Sequence, residues 1–263
     1  MKPVILCAMP ASSNFQEAIR EAQSSALVGP NVVNKALPYV GGGMVLTAGG
    51  VMGGLALLAS NPAGFMPLFW VALIGNFILF FVAQNVALKG NNSTALPLMA
   101  AYSLITGFTL SGLVRQAMLM GGLANPQDPY AGIFPVAVAA FATGITFVAA
   151  SVMGRRMSDS VGQALSGVVG LGIVGLLIAM VVQLIGSAFT GGQFGGGGFE
   201  LMIAGFGTVI FVGAAFVDFY TMPRTYRDDQ YLAGALSMYL TYINLFIFIL
   251  RLVIALNGGG RRD

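Results

Sequence analysis

Histidine is absent from this chain, and cysteine occurs once, at Cys7. Zinc, haem and iron–sulfur centres draw their ligands mainly from those two residue types, so no metal and no other cofactor is expected. A serine hydrolase would have no His to act as its base, and no Ser/Lys pair falls within the apolar segments. An intramembrane aspartyl protease needs two aspartates at membrane depth, where only Asp218 is available. Catalysis is therefore not expected. One Cys cannot close an internal disulfide and says nothing about redox compartment. Charge is scarce too: Asp, Glu, Lys and Arg make up 8% of the residues, where a soluble domain carries about 25%. A globule so poor in charge could not cover its own surface in water. The basic residues are spread over loops without interleaved aromatics, which argues against nucleic acid as a partner. The run GGQFGGGG has no Lys-Ser/Thr after it and is not a phosphate loop.

What the chain has instead is hydrocarbon: 57% of its residues are hydrophobic. They come in seven runs, each long enough to span about 30 Å of bilayer core. The runs are Leu37–Ala59, Met66–Val86, Leu96–Val114, Ile133–Met153, Gly167–Phe189, Leu201–Val217 and Leu232–Leu256. Asn61-Pro62, Lys89-Gly90-Asn91-Asn92, Ala124-Asn125-Pro126, Arg155-Arg156, the glycines from Gly191 to Gly198 and Arg224–Asp229 separate them. No loop is long enough for a soluble domain, so residues 31–263 are expected to form one all-α, seven-helix transmembrane bundle, with the lipid bilayer as its first partner. Residues 1–30 form an N-terminal segment with a short helix over 12–26, capped by Ser13 or Asn14. Val4–Met9 is too short for a signal-peptide core and no A-x-A site follows, so cleavage is not expected.

Orientation follows from the basic residues. A cytoplasmic N-terminus puts Lys2, Arg20, Lys35, Lys89, Arg155, Arg156, Arg224 and Arg227 on the inner side, against Arg115, Arg261 and Arg262 outside. The C-terminus is then outside. In the first span Gly49 pairs with Gly53 and Gly50 with Gly54, and Ser166–Gly170 repeats that spacing in the fifth; tight packing within the bundle or a homodimer face both fit it.

Polar residues within membrane spans are costly, so they are the first functional candidates. Ser237, Thr241, Asn244 and Arg251 fall on one stripe of the last span, about 80° wide at 100° per residue, and Tyr102, Thr106 and Thr109 fall within about 60° on the third. Such stripes face the bundle interior or a wet crevice; alternatively Ser and Thr bond their own helix carbonyls while Asn244 and Arg251 fasten neighbouring helices. Asp218 ends the sixth span. It stands either unpaired, and so able to titrate and sense pH, or in an ion pair with Arg155, Arg156 or Lys89.

The stretches FVDFYTMPR (216–224), DDQYLAGALSMYL (228–240) and TYINLFIFILRLV (241–253) resemble the close of the Bax inhibitor-1 family, with Asp218, Tyr231, Ala235, Leu236, Tyr239, Asn244, Leu245, Phe246, Leu250 and Arg251 at the family's positions. AYSLITGFTLS (101–111) is similar to the family's third span. The resemblance implies a seven-helix bundle with the last helix central. It also implies a pH-sensitive calcium leak, which bacterial members latch with two aspartates. Asp218 matches the first aspartate, whereas Thr241 stands at the second, and the second span offers Asn76, Gln84 and Asn85 where the family tends to have Arg. Two function classes follow. One is a calcium or proton leak gated by Asp218, with Thr241 as hydrogen-bond donor. The other is a non-transporting subunit of a membrane complex or a regulator of a membrane protease. A bacterial plasma membrane is the implied location.

Overall fold

The computed structural model describes residues 27–189 and 196–259. The helix expected over 12–26 lies outside the described residues. Those described form seven long helices: α1 Val32–Ser60, α2 Pro62–Leu88, α3 Asn92–Ala124, α4 Phe134–Met153, α5 Asp159–Phe189, α6 Gly196–Thr225 and α7 Tyr231–Gly259. All seven are long and apolar enough to cross a membrane. Helices prevail because a backbone in hydrocarbon must satisfy its own N–H and C=O groups.

The breaks act as local chemistry demands. Asn61 accepts from Gly64 N at 3.0 Å while Pro62 supplies the first residue of α2. Gly90, at φ 75°, turns the chain into α3, whose first turn Asn91 caps through Thr94 N at 3.3 Å. The third run of apolar residues stops at Val114, yet α3 continues to Ala124. The apolar run ends because a charge appears at Arg115, whereas the helix runs on until Asn125-Pro126 stops it.

The last helix is central. α7 packs directly on α1, α2, α3, α4 and α6, while α5 rests on α6. Leu236, Tyr239, Leu245 and Leu250 of α7 are wholly buried. α1 and α3 approach most closely. Gly50 lies on the carbonyl of Leu104, Gly54 on Ser111 and Gly107 on the carbonyl of Thr47, each too near for a Cβ. Gly49 and Gly53, by contrast, face open space. Of the two glycine pairs in α1, then, one packs inside the bundle and the other lies on its outer surface.

At one end of the bundle the start of α1 and three interhelical loops knit together. Gly29 N donates to Pro223 O at 3.0 Å, Asn31 N to Asp228 Oδ1 at 3.0 Å, and Asn92 Nδ2 to Asp229 O at 2.8 Å. Gln230 Nε2 donates to Leu88 O at 2.6 Å, and an Arg155 nitrogen to Asn34 Oδ1 at 3.0 Å. Within the last loop the Arg227 guanidinium, 3.0 Å away, holds the exposed Asp229 carboxyl below the usual carboxylate range.

Candidate functional site: a cavity between α5, α6 and α7

A cavity of about 570 Å³ lies where α5 stands off α7, with α6 as its back wall. α6 contributes Asp218, Phe211 and Ala214. α7 contributes Ser237, Thr241, Asn244 and Phe248, and α5 contributes Ser166, Gly170 and Met180. The helical period explains the α7 set, since residues three and four apart share a face. Ser166 and Gly170 line this cavity, and Gly170 does not pack against a neighbouring helix within the bundle. A Cβ on Gly170 would meet nothing within 4 Å, so the small residues widen the cavity and open it toward the lipid.

Among the described residues Asp218 is the only charged one lining this space. Its Oδ2 is inaccessible and makes no hydrogen bond. Thr241 is the side chain beside it that can donate to it. Among the described residues Asp218 makes no ion pair with any of its expected partners: Arg155 bonds Asn34 instead, and neither Arg156 nor Lys89 pairs with it. Asn244 donates Nδ2–H to the carbonyl of Leu240 at 2.9 Å, leaving its own carbonyl oxygen to the cavity. Ser166 likewise donates to Gly162 O at 2.7 Å.

Two ion pairs bracket the cavity. At the end of Asp218, Arg224 binds Asp159 Oδ1 at 2.8 Å, and the Tyr220 hydroxyl donates to the same oxygen at 3.1 Å. Arg224 also lies 3.9 Å over the Tyr220 ring. At the other end Arg251 grips Glu200 with both arms, at 2.7 and 2.9 Å, and Gln183 adds a bond to Glu200 at 2.9 Å. This second cluster ties α5, α6 and α7. Beneath it the rings of Phe211 and Phe248 stack with centroids 5.4 Å apart.

The polar stripe of α7 is thus divided. Ser237, Thr241 and Asn244 face the cavity, while Arg251 fastens α7 to α6 beyond it. The α3 stripe lies elsewhere. Tyr102 packs edge-on to Tyr239, Thr106 accepts from Asn76 Nδ2 at 2.9 Å, and Thr109 bonds the Thr106 carbonyl at 2.8 Å. Thr47 joins Tyr239 and the Ser103 carbonyl in the same group. None of these residues lines the α5–α6–α7 cavity. Of the α2 amides, Gln84 reaches Tyr226 at 3.4 Å and Asn85 is exposed. Sequence reasoning missed Glu200, Gln183 and Asp159. The signal for the first was present: α6 begins and α7 ends on the same side of the bundle, which brings Glu200 level with Arg251.

Seven membrane-length helices, the last of them central, with an acid opening on a cavity among the last three, define a polytopic α-helical membrane protein. The chain belongs to the family described as Inhibitor of apoptosis-promoting Bax1, which matches residues 29–258. It is similar to an uncharacterized membrane protein of Streptococcus pyogenes serotype M1, 28% identical over 205 residues, covering 75% of this chain and 77% of the relative. It is also 28% identical over 218 residues to a Lactococcus lactis protein, YrjE, covering 79% of each. A shorter stretch of 54 residues, 20% of each chain, is 37% identical to Bax inhibitor 1 of Schizosaccharomyces pombe.

Proposed function

We propose that the protein is a passive, pH-sensitive leak for small cations, gated at Asp218, in a bacterial plasma membrane with its N-terminus cytoplasmic. One observation carries this reading: a carboxylate oxygen without a partner, beside a cavity lined by Ser237, Thr241 and Asn244. An ionised carboxylate in a poorly polar site needs a countercharge, and an entering cation supplies it. Protonation removes the need and lets the cavity stay shut, so the leak rises as the carboxyl loses its proton with rising pH. Protons suit this site better than calcium, which takes six to eight oxygen ligands where one carboxylate is offered. Passage requires the Asp159–Arg224 and Glu200–Arg251 pairs to part at either end. The reading assigns the chain no catalytic step.

The test is flux in liposomes holding the purified protein, followed with a pH dye and separately with a calcium dye. Wild type should dissipate a proton gradient faster at pH 8 than at pH 6, with little calcium influx, and Asp218→Asn should abolish the difference. An equal leak in Asp218→Asn overturns the gating role. Liposomes that stay tight in wild type leave the competing role ahead, a non-transporting subunit or modulator of a membrane protease.

A further inference from the structure

We propose that the cavity between α5, α6 and α7 binds an organic ammonium ion with an apolar body, its charged head on Asp218 and Asn244 and its tail along the α5 wall. The inference rests on the reading above that this cavity is the functional site, and it names the ligand class. Three observations converge.

The first is charge. Among the described residues Asp218 is the sole charged one lining the cavity, and it makes no ion pair. Arg224 and Arg251, the basic residues bracketing the cavity, are each committed to an acid of their own.

The second is hydrogen-bonding polarity. Of the lining residues, Asn244 spends a donor on Leu240 O and Ser166 its only donor on Gly162 O, which leaves each with an oxygen free to accept. A site rich in acceptors is matched by a ligand rich in donors, and an ammonium group is all donor.

The third is size and lining. About 570 Å³ is far more than a proton or bare metal ion requires, and falls in the range of small-molecule sites. Val169, Ile173, Leu176 and Leu177 of α5 make one wall apolar. Phe248 already stacks on Phe211 and has Arg251 over its ring at 5.6 Å. The aromatic pair therefore serves as an apolar floor, and Asp218 fixes where the head sits. Entry lies beside exposed Gly170 and Leu177.

Calorimetry with hexylammonium and its uncharged counterpart hexanol tests this on purified protein in uncharged maltoside micelles. Wild type should bind hexylammonium at least tenfold more tightly than hexanol, and Asp218→Asn should lose that preference. Gly170→Leu keeps Asp218 and adds a side chain where a Cβ meets nothing, so it should fold and still lose hexylammonium binding at least tenfold. Equal affinity for the two ligands, or unchanged hexylammonium binding in both variants, overturns the proposal, as does displacement of hexylammonium by micromolar calcium. Competition by dihexanoyl-phosphatidylethanolamine, but not by the phosphatidylglycerol analogue, would make a lipid headgroup the source of the ammonium; no competition by either assigns the site to free amines. Binding is read without flux. A tight liposome with intact hexylammonium binding therefore sinks the leak alone, and a leak without hexylammonium binding sinks this inference alone.

Discussion

A threonine hydroxyl stands beside Asp218 at the position where a second carboxylate would share its proton. Thr241 is 9% exposed, so Thr241→Asp would put two carboxylates on the same cavity, and they could not both ionise cheaply. The variant should gain calcium influx that rises between about pH 6 and pH 8, read with a calcium dye in liposomes, whereas wild type should show little. Strong influx in wild type would mean that one acid suffices. The α7 stripe was legible because Ser237, Thr241 and Asn244 repeat at helical spacing, and a period needs no neighbours to be read. Its direction was not legible. The same period on α3 points Tyr102 and Thr106 to a different place, because a stripe does not name the helix it faces. Glu200 escaped for another reason: it sits at the edge of a glycine run, outside any apolar window, and its role exists only once Arg251 is brought beside it.

Elements, in turn, are held by contacts that hydropathy does not encode. Glu200 and Arg251 are 33% and 17% exposed, and orphaning one member of such a partly shielded pair costs about 1–2 kcal/mol, between the exposed and the fully buried cases. Arg251→Met should lower thermal stability by roughly that amount in a detergent unfolding assay, and should raise the proton leak if the pair seals the cavity. The double variant Arg251→Met with Glu200→Met should recover much of the stability while the leak persists. No stability loss in the single variant would make the pair incidental. On the opposite flank Gly107 abuts the Thr47 carbonyl with no room for a Cβ. Gly107→Leu must push α1 from α3 and should fail to yield monodisperse protein. Gly49→Leu, on the open face, should purify normally and tell packing from dimerisation by its unchanged elution on gel filtration. Four-residue glycine spacing announced close helix contact, yet only the folded bundle tells the packed pair from the outer one.

For the molecule as a whole, alternating helices gather Lys35, Lys89, Arg155, Arg156, Arg224 and Arg227 toward one end and leave Arg115 and Arg251 toward the other. On the positive-inside rule the first end is expected to be cytoplasmic. Reporter fusions after Asn257 should score as outside, and a cytoplasmic signal would reverse the assignment. The seven spans were readable because a bilayer imposes one length and one composition on whatever crosses it. The cavity was not, since it arises from α5 touching α6 while standing off α7. That offset has a mechanical consequence. α5, 31 residues and so about 46 Å long, is a wall with hydrocarbon behind it, held by the Asp159–Arg224 ion pair at its start and by the Gln183–Glu200 hydrogen bond toward its end. Were this helix to bow outward, the protein's footprint in the plane of the bilayer would grow, so membrane stretch would favour a wider cavity and crowding by acyl chains would oppose it.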